Sequence, residues 1–212
     1  MNIAIVGAAG WLGNEILQEA KRRGHKIIAL VRDPAKIKDT DVDVRSFDVT
    51  DQTNSLADAV SGADVVISSV SGRSNGDHTI FAKAAQRYLN ELPSTEVSKL
   101  IWVGGAGSLE VAPGVKLVTV PDFPAEYKEE ALGMSDALDV FQNTSSDLNW
   151  TFVSPAAIIF PGEQTQKYRI GQDALLTDEN GDSKISDSDY AWALLDILEK
   201  NLQPKQRIGV AY

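Results

Sequence analysis

Three glycines near the start of the chain have the spacing of a phosphate-binding turn. Gly7, Gly10 and Gly13 follow the apolar run 2–6 and precede a stretch with helical periodicity. After the strand the chain must reverse sharply, and its backbone N–H groups must come close to a phosphate at the positive end of the helix dipole. Gly7 suits the sharp turn, Gly10 the close passage of the phosphate, and Gly13 the packing of helix on strand. A structural turn that holds no ligand is the alternative.

The elements around these glycines favour the ligand-binding interpretation. A second apolar strand, residues 25–31, begins directly after Gly24, a residue type suited to the end of the intervening helix. A strand, a glycine turn, a helix and a second strand together form the βαβ unit that binds dinucleotides. The residues predicted to contact the cofactor in this unit are Gly7, Ala9, Gly10, Trp11, Leu12 and Gly13.

The end of the second strand indicates which dinucleotide fits. At this position an acid binds a free ribose 2′-hydroxyl, and an arginine binds a 2′-phosphate. Arg32 stands there and Lys36 could add a second positive charge, whereas Asp33 could instead accept from a ribose hydroxyl. NADP(H) is therefore the predicted cofactor, with NAD(H) as the alternative. Asp48 and Val49, at the end of the third strand, are predicted to flank the adenine.

Apolar runs alternate with helical patterns along most of the chain. Strands are predicted near 43–48, 63–70, 99–104 and 150–154, and helices near 55–61, 79–92 and 125–145. Continuous apolar strands are typical of parallel sheets that are covered on both faces. The predicted fold class is therefore α/β, with a doubly wound, mostly parallel sheet of the NAD(P)-binding Rossmann type in a single domain, 1–212.

The C-terminal third departs from this alternation. Residues 156–186 contain glycines, a proline and short mixed patches, which predict loops and short strands. Because ligands bind outside the carboxyl ends of the strands, this irregular substrate-side segment is a candidate lid. A last helix is predicted to begin at Ser186, whose hydroxyl and the Asp189 carboxylate form a capping-box pattern, with Trp192 turned toward the core.

Composition excludes several classes of function. The net charge of −10 disfavours binding to nucleic acid or to an anionic membrane surface, and the chain has no cysteine for disulfides or thiol chemistry. A signal peptide has no room before the first strand, so a cytoplasmic location is expected.

Acidic residues and histidines do not form a convincing metal site. The two histidines are far apart in the sequence, although His78 follows the fourth strand and could approach the nicotinamide loop. The acidic cluster lacks the spacing of a calcium loop and is interpreted as a solvated face; its members are Asp178, Glu179, Asp182, Asp187 and Asp189.

Five segments together resemble one known family: GAAGWLG from Gly7, LVRDPAK from Leu30, DVTD from Asp48, VGGAGS from Val103 and WTFVSP from Trp150. With these motifs, nearly the whole chain resembles the atypical short-chain dehydrogenases, specifically the bacterial NADH-flavin reductases that neighbour the NmrA-like and biliverdin reductase B groups. The resemblance implies an NAD(P)-binding Rossmann domain in which two loops line the nicotinamide side. The predicted contacts in these loops are Ser69, Val70, Ser71, Gly104 and Gly105.

One departure from the wider family bears on the chemistry. Typical short-chain dehydrogenases use Tyr-x-x-x-Lys to exchange a proton with a carbonyl or alcohol, and none of the five tyrosines here has that lysine. A flavin or quinone spreads the charge of an accepted hydride over its ring, so it does not require a precisely placed tyrosine. The predicted function is therefore an oxidoreductase that transfers hydride from NADPH to such a planar small molecule, with FMN or FAD as a substrate.

The remaining assignments leave alternatives open. Ser108 is the predicted catalytic hydroxyl, and its alternative is a polar residue in the turn after a glycine-rich strand end. A non-catalytic NADP(H)-binding redox sensor of the NmrA-like type is the second hypothesis for the whole chain. An NAD-dependent epimerase or dehydratase ranks third, because that chemistry normally needs the missing tyrosine-lysine pair.

Overall fold

The computed structural model describes residues 1–73, 76–202 and 204–212 and contains twelve strands and five helices. The strands are β1 Asn2–Val6, β2 Lys26–Val31, β3 Asp43–Ser46, β4 Val65–Ser68, β5 Lys99–Val103, β6 Glu110–Ala112, β7 Val115–Lys116, β8 Asn149–Ser154, β9 Ile158–Phe160, β10 Arg169–Gly171, β11 Lys184–Ser186 and β12 Gln206–Ala211. The helices are α1 Trp11–Arg22, α2 Leu56–Ala59, α3 Ile80–Glu91, α4 Ala125–Gln142 and α5 Asp187–Glu199.

Eight strands form the central sheet in the order β3-β2-β1-β4-β5-β8-β12-β10. All neighbours are parallel except β10, which pairs antiparallel with β12 at one edge. The chain starts in β1 and builds outward in both directions, so the carboxyl ends of β1 and β4 diverge at a topological switch point. In open α/β sheets such a point is where ligands bind.

Helices cover both faces of the sheet, as the continuous apolar strands predict. One face carries α1 and α5, with Ile16, Leu17 and Leu194 in its core. The other carries α2, α3 and α4, where Trp102 lies among Tyr88 and other aromatic rings. The predicted α/β class with a doubly wound, mostly parallel sheet is therefore confirmed.

Most predicted elements form close to their predicted positions, β12 is an additional strand of the sheet, and β10 is one of the short strands predicted within 156–186. The strand β12 lies beyond the last predicted helix and pairs in parallel with β8, while β10 lies inside the irregular segment. Gly24 follows α1 with a φ of +80°, as expected for the residue that ends a helix. Within the described residues, no helix is long and apolar enough to cross a membrane.

The start of α5 differs in one detail from its predicted cap. The Ser186 hydroxyl accepts from the Asp189 N–H at 3.0 Å, as predicted. The Asp189 carboxylate does not return to the Ser186 backbone; it accepts instead from the Thr165 and Gln166 N–H groups. The Ser186 N–H donates to the hydroxyl of Tyr212, because the final residues of the chain lie against this helix start.

Candidate functional site

The glycine turn is shaped by two approaches that a side chain would block. Gly7 has a φ of +79°, and a Cβ there would lie 2.3 Å from the Ser69 carbonyl oxygen. A Cβ at Gly13 would lie 2.1 Å from the Gly7 carbonyl oxygen. The sharp turn at Gly7 and the close packing at Gly13 are therefore the geometric roles predicted from the sequence, and together they draw the turn against the loop after β4.

The mouth of this turn is open. Ala9, Gly10 and Trp11 are exposed, while Leu12 is half-buried behind them. Gly10 is the N-cap of α1 and offers no side chain to its first N–H groups. A Cβ at Gly10 would meet only the Gly7 carbonyl oxygen, at 3.2 Å. The first turn of α1 can thus present backbone N–H groups and the positive end of its dipole to an anion.

The loop after β4 lies directly beside the turn. Ser69 and Val70 are half-buried and Ser71 is exposed, so all three lie at the carboxyl edge of the sheet. The Ser69 N–H donates to the Val6 carbonyl oxygen at 2.9 Å, which continues the β1–β4 pairing into the loop. The structure therefore brings these residues and the glycine turn together on one rim.

The loop after β5 forms the next part of the rim. Gly104 is buried, and a Cβ there would lie 2.2 Å from the Phe152 ring. Gly105 is half-buried above Met134 of α4. Because neither residue has a side chain, nothing projects from these two positions at the carboxyl edge between β4 and β8. The nicotinamide end of a dinucleotide is expected at this place.

Ser108 lies below this rim. It is 3% exposed, and its hydroxyl and carbonyl oxygens both accept from the Arg207 guanidinium at 2.9 Å. Arg207 also forms an ion pair with Asp173. The prediction that Ser108 supplies a proton gains no support from these surroundings, which are those of a structural hydroxyl that holds a buried arginine in place.

The tyrosines offer no phenol-ammonium relay. Tyr88 and Tyr190 are fully buried, and burial raises the pKa of each phenol. Tyr127 is half exposed at the start of α4, with the Arg73 guanidinium 5.8 Å from its ring centre. Four residues after Tyr127 stands Ala131, whose methyl group would lie 2.7 Å from a Cβ at Gly107.

The adenine half of the edge carries the predicted basic residues. Arg32 and Lys36 are exposed just beyond β2. The Asp33 carboxylate accepts from the Ala35 N–H at 3.1 Å and so caps the turn between them. A cavity of about 420 Å³ lies between α1 and this connection, lined by Gly10, Trp11, Asn14, Gln18, Lys36 and Lys38 among others.

Asp48 and Val49 lie beyond β3 and have internal partners. The Asp48 carboxylate accepts from the N–H and hydroxyl of Thr50, at 2.9 and 2.7 Å. Val49 is buried, and its carbonyl oxygen accepts from Arg87 at 3.0 Å. These bonds fix the turn at the end of β3, and contact with an adenine stays a prediction for both residues.

The candidate lid divides into parts with different surroundings. The strands β9 and β11 pair in parallel beside the start of α5. We define the strap as residues 161–168; it is held to the two helices on the α1 and α5 face of the sheet. Its Gln164 amide donates to Glu19 at 3.0 Å, and its Tyr168 hydroxyl donates to Asp196 at 2.7 Å. The strap is therefore attached to these helices by specific bonds along its length.

Charged groups beneath the strap have shifted pKa values. Burial alone would raise the pKa of Glu19, but hydrogen bonds from Gln164, Arg23 and Arg22 outweigh it and lower that pKa. Burial would likewise raise the pKa of Asp196, but hydrogen bonds from Lys200, Tyr168 and Arg23 outweigh it and lower that pKa. Burial and the bond to Asp196 raise the pKa of Tyr168 to about 12, so its hydroxyl stays protonated and continues to donate.

Two carboxylates interpreted as part of a solvated face are buried instead. Asp187 is 5% exposed and Asp189 is fully buried, because both are bonded to the strap. Asp187 also accepts from the Trp11 indole N–H at 2.7 Å. The sequence analysis predicted neither this hydrogen bond nor the role of Arg207. The one local signal for a special role of Asp187 was its position directly after the capping serine. No cluster of metal-ligand type is found among the described residues.

The comparisons with known proteins agree with this geometry. A family model described as NAD(P)H-binding matches residues 7–201, from the first glycine of the turn to the end of α5. The chain belongs to this NAD(P)H-binding family. A nicotinamide cofactor is therefore the ligand of this family, and its contact with the glycine turn and the neighbouring loops stays a prediction.

Relatives of high coverage share the whole architecture. The chain is 38% identical to the uncharacterized protein YwnB of Bacillus subtilis in an alignment of 213 positions that covers 99% of this chain and 98% of YwnB. A Streptococcus pneumoniae structure named "putative NADH-flavin reductase" is 34% identical with a TM-score of 0.90, over 100% of this chain and 99% of the other. A Burkholderia pseudomallei structure named "putative exported protein" is 40% identical with a TM-score of 0.90 over both full chains.

Proposed function

We propose that this protein is an NADPH-dependent reductase that passes hydride to a planar acceptor, a flavin or a quinone. The observation that carries the proposal is the combination of a complete cofactor rim with a helix start that has no tyrosine-lysine relay. Tyr127 is followed four residues later by Ala131, and the adjacent Gly107 is in close contact with that alanine. The name of the Streptococcus pneumoniae relative supports the same class of acceptor.

The residues of the rim bind and orient. The N–H groups at the start of α1 would hold the pyrophosphate, since Gly10 leaves them uncapped and no side chain covers them there. Gly104 and Gly105 would let the nicotinamide lie close to the sheet edge beside Ser69. When bound, NADPH supplies the hydride, and the acceptor takes up that hydride together with one proton from water. Positioning the two rings is then the main contribution of the protein.

We further propose that NADP(H) is preferred to NAD(H). Arg32 is exposed at the end of β2, where a 2′-phosphate would lie, and Lys36 adds charge nearby. Asp33, the residue that could instead bind a 2′-hydroxyl, already accepts from the Ala35 N–H. Because the net charge is −10, an isolated basic site beside the glycine turn is more informative than it would be in a basic protein, and the same charge disfavours nucleic acid and membrane surfaces as partners.

The direct test is oxidation of NADPH with a panel of acceptors: FMN, FAD, a soluble quinone and, as a comparison, simple aldehydes and ketones. We expect turnover with the flavins or the quinone and none with the carbonyl compounds. Gly10→Asp serves as the matched control, because its carboxylate would repel the pyrophosphate. Tight binding of NADPH without turnover on any acceptor would refute the reductase proposal and favour the NADP(H) sensor. Cell fractionation tests the cytoplasmic location that we propose for an NADPH-dependent enzyme.

A further inference from the structure

Trp11 combines a fixed orientation with an unusual exposure. It is the first residue of α1, within the glycine turn, and 45% of its surface is exposed. Its indole N–H nevertheless donates to Asp187 at 2.7 Å, across the boundary between α1 and α5. A large aromatic ring that is held by a hydrogen bond and still open to solvent is suited to packing against a ligand.

The same carboxylate also holds the beginning of the strap. One Asp187 oxygen accepts from Trp11, and the other accepts from the N–H groups of Gly162 and Ser188, at 3.1 and 2.8 Å. The Ser188 hydroxyl returns a bond to the Gly162 carbonyl oxygen at 2.8 Å. Asp187 is the first residue of α5, so the helix dipole stabilises its charge. One buried carboxylate thus joins the glycine turn, the strap and α5.

Trp11 also lines the cavity between α1 and the connection after β2. Gly10 and Asn14 lie on the same wall, and Lys36 and Lys38 lie across from it. This cavity adjoins the exposed part of the glycine turn, where the cofactor binds. A change in the orientation of the indole would therefore change the shape of the cofactor site.

We infer that Trp11 is a wall of the cofactor site and that Asp187 is the positioning residue that holds the indole ready for the dinucleotide. Loss of the hydrogen bond leaves the indole free to rotate, and cofactor binding must then restrict it. Immobilising a side chain of this kind costs about a three- to tenfold factor in affinity. The inference depends on cofactor binding and is independent of the acceptor.

The test is a double-substitution cycle on NADPH affinity, measured by calorimetry without any acceptor. Trp11→Phe keeps an aromatic ring but removes the N–H donor. Asp187→Asn keeps the shape of the side chain but turns one accepting oxygen into a donor. Each change is expected to raise the NADPH dissociation constant about three- to tenfold. The double variant is expected to match the weaker single variant, because both changes remove the same bond.

Asp189→Asn provides the matched control. Asp189 holds the same strap through Thr165 and Gln166, whereas the indole N–H of Trp11 donates to Asp187. Its effect on affinity should therefore multiply with that of Trp11→Phe. Multiplying effects of Trp11→Phe and Asp187→Asn, or an unchanged affinity in both, would overturn the inference.

Fluorescence supplies a second readout, which reports on the surroundings of the Trp11 indole itself. Trp102 and Trp150 are buried, and Trp192 is half-buried under Arg23, so the difference spectrum between the parent and Trp11→Phe isolates the exposed indole. Asp187→Asn should alter this difference spectrum before NADPH is added, and Asp189→Asn should not. If Asp187→Asn fails to fold, Trp11→Phe decides alone: an unchanged NADPH affinity overturns the inference.

Discussion

Alanine substitutions at two glycines of the same turn should differ in their effects on stability and on NADPH affinity. Gly13→Ala places a Cβ 2.1 Å from the Gly7 carbonyl oxygen, a backbone atom that cannot rotate away. Overpacking of this kind costs about 1–3 kcal/mol, and such a short contact belongs at the upper end. The gain in helix propensity from Gly to Ala offsets about 1 kcal/mol. We expect a net loss of about 2 kcal/mol in the free energy of unfolding, or roughly 4–8 °C in melting temperature.

Gly10→Ala should leave stability almost unchanged. Gly10 has φ −77° and ψ 167°, which alanine adopts freely, and the new Cβ meets only one atom, at 3.2 Å. The loss of an N-cap glycine and the gain in backbone entropy are each below about 1 kcal/mol and opposite in sign. The methyl group would, however, project where the phosphates pass, so NADPH affinity should fall at least tenfold.

The assay pairs urea unfolding with NADPH titration for both variants. The reasoning requires that stability and affinity separate: Gly10→Ala loses affinity and keeps its stability, whereas Gly13→Ala loses stability. Parent-like affinity in Gly10→Ala would refute the assignment of Gly10 to the phosphate passage. Parent-like stability in Gly13→Ala would refute the close packing of the turn.

Three further predictions concern residues away from the turn. Arg32→Glu should weaken NADPH selectively, by removing one charge-assisted contact and adding a repulsion; equal losses for NADPH and NADH in parallel titrations would contradict the assignment. Ser108→Ala should keep kcat and lose about 1–2 kcal/mol of stability, because Arg207 loses an acceptor; a large fall in kcat at normal stability would instead restore Ser108 as a catalytic group. Stability should also decline as the pH falls below about 4.5. The pKa of Glu19 is lowered in the folded protein, so the unfolded chain takes up a proton at this residue more readily than the folded protein does. Replacing Arg23 by Gln should flatten that decline in urea unfolding at pH 7, 5, 4 and 3, and an unchanged slope would count against the ion pairs as its cause.

The fold could be predicted because its information is local and periodic. Residues 3–6 and 100–103 are apolar throughout and form buried central strands, and each is followed by one or two glycines at the carboxyl edge of the sheet. The strand β12 was not predicted, because the local sequence of residues 206–211 does not indicate which strand they pair with. The strand forms by pairing with β8, more than fifty positions earlier. Strands of this kind depend on tertiary contacts that a local pattern does not contain.

The sequence predicts the backbone geometry of the candidate site but not the partners of its side chains. Gly7 and Gly13 have roles that follow from spacing, because a turn of fixed length has fixed close approaches. The role of Ser108 depends on Arg207, 99 positions later, and the orientation of Trp11 depends on Asp187, 176 positions later. Long-range side-chain partners decide whether a hydroxyl or an indole faces a ligand or a neighbour.

The tyrosine-lysine relay is missing at the place where Ala131 of α4 packs closely against Gly107. Gly107 has no space for a Cβ against Ala131, so the loop after β5 and helix α4 are almost in backbone contact there. With alanine at 131, Tyr127 has no ammonium group four residues later with which to form a proton relay. In the function that we propose, the protein orients two flat rings at this edge of the sheet, and the acceptor itself carries the charge.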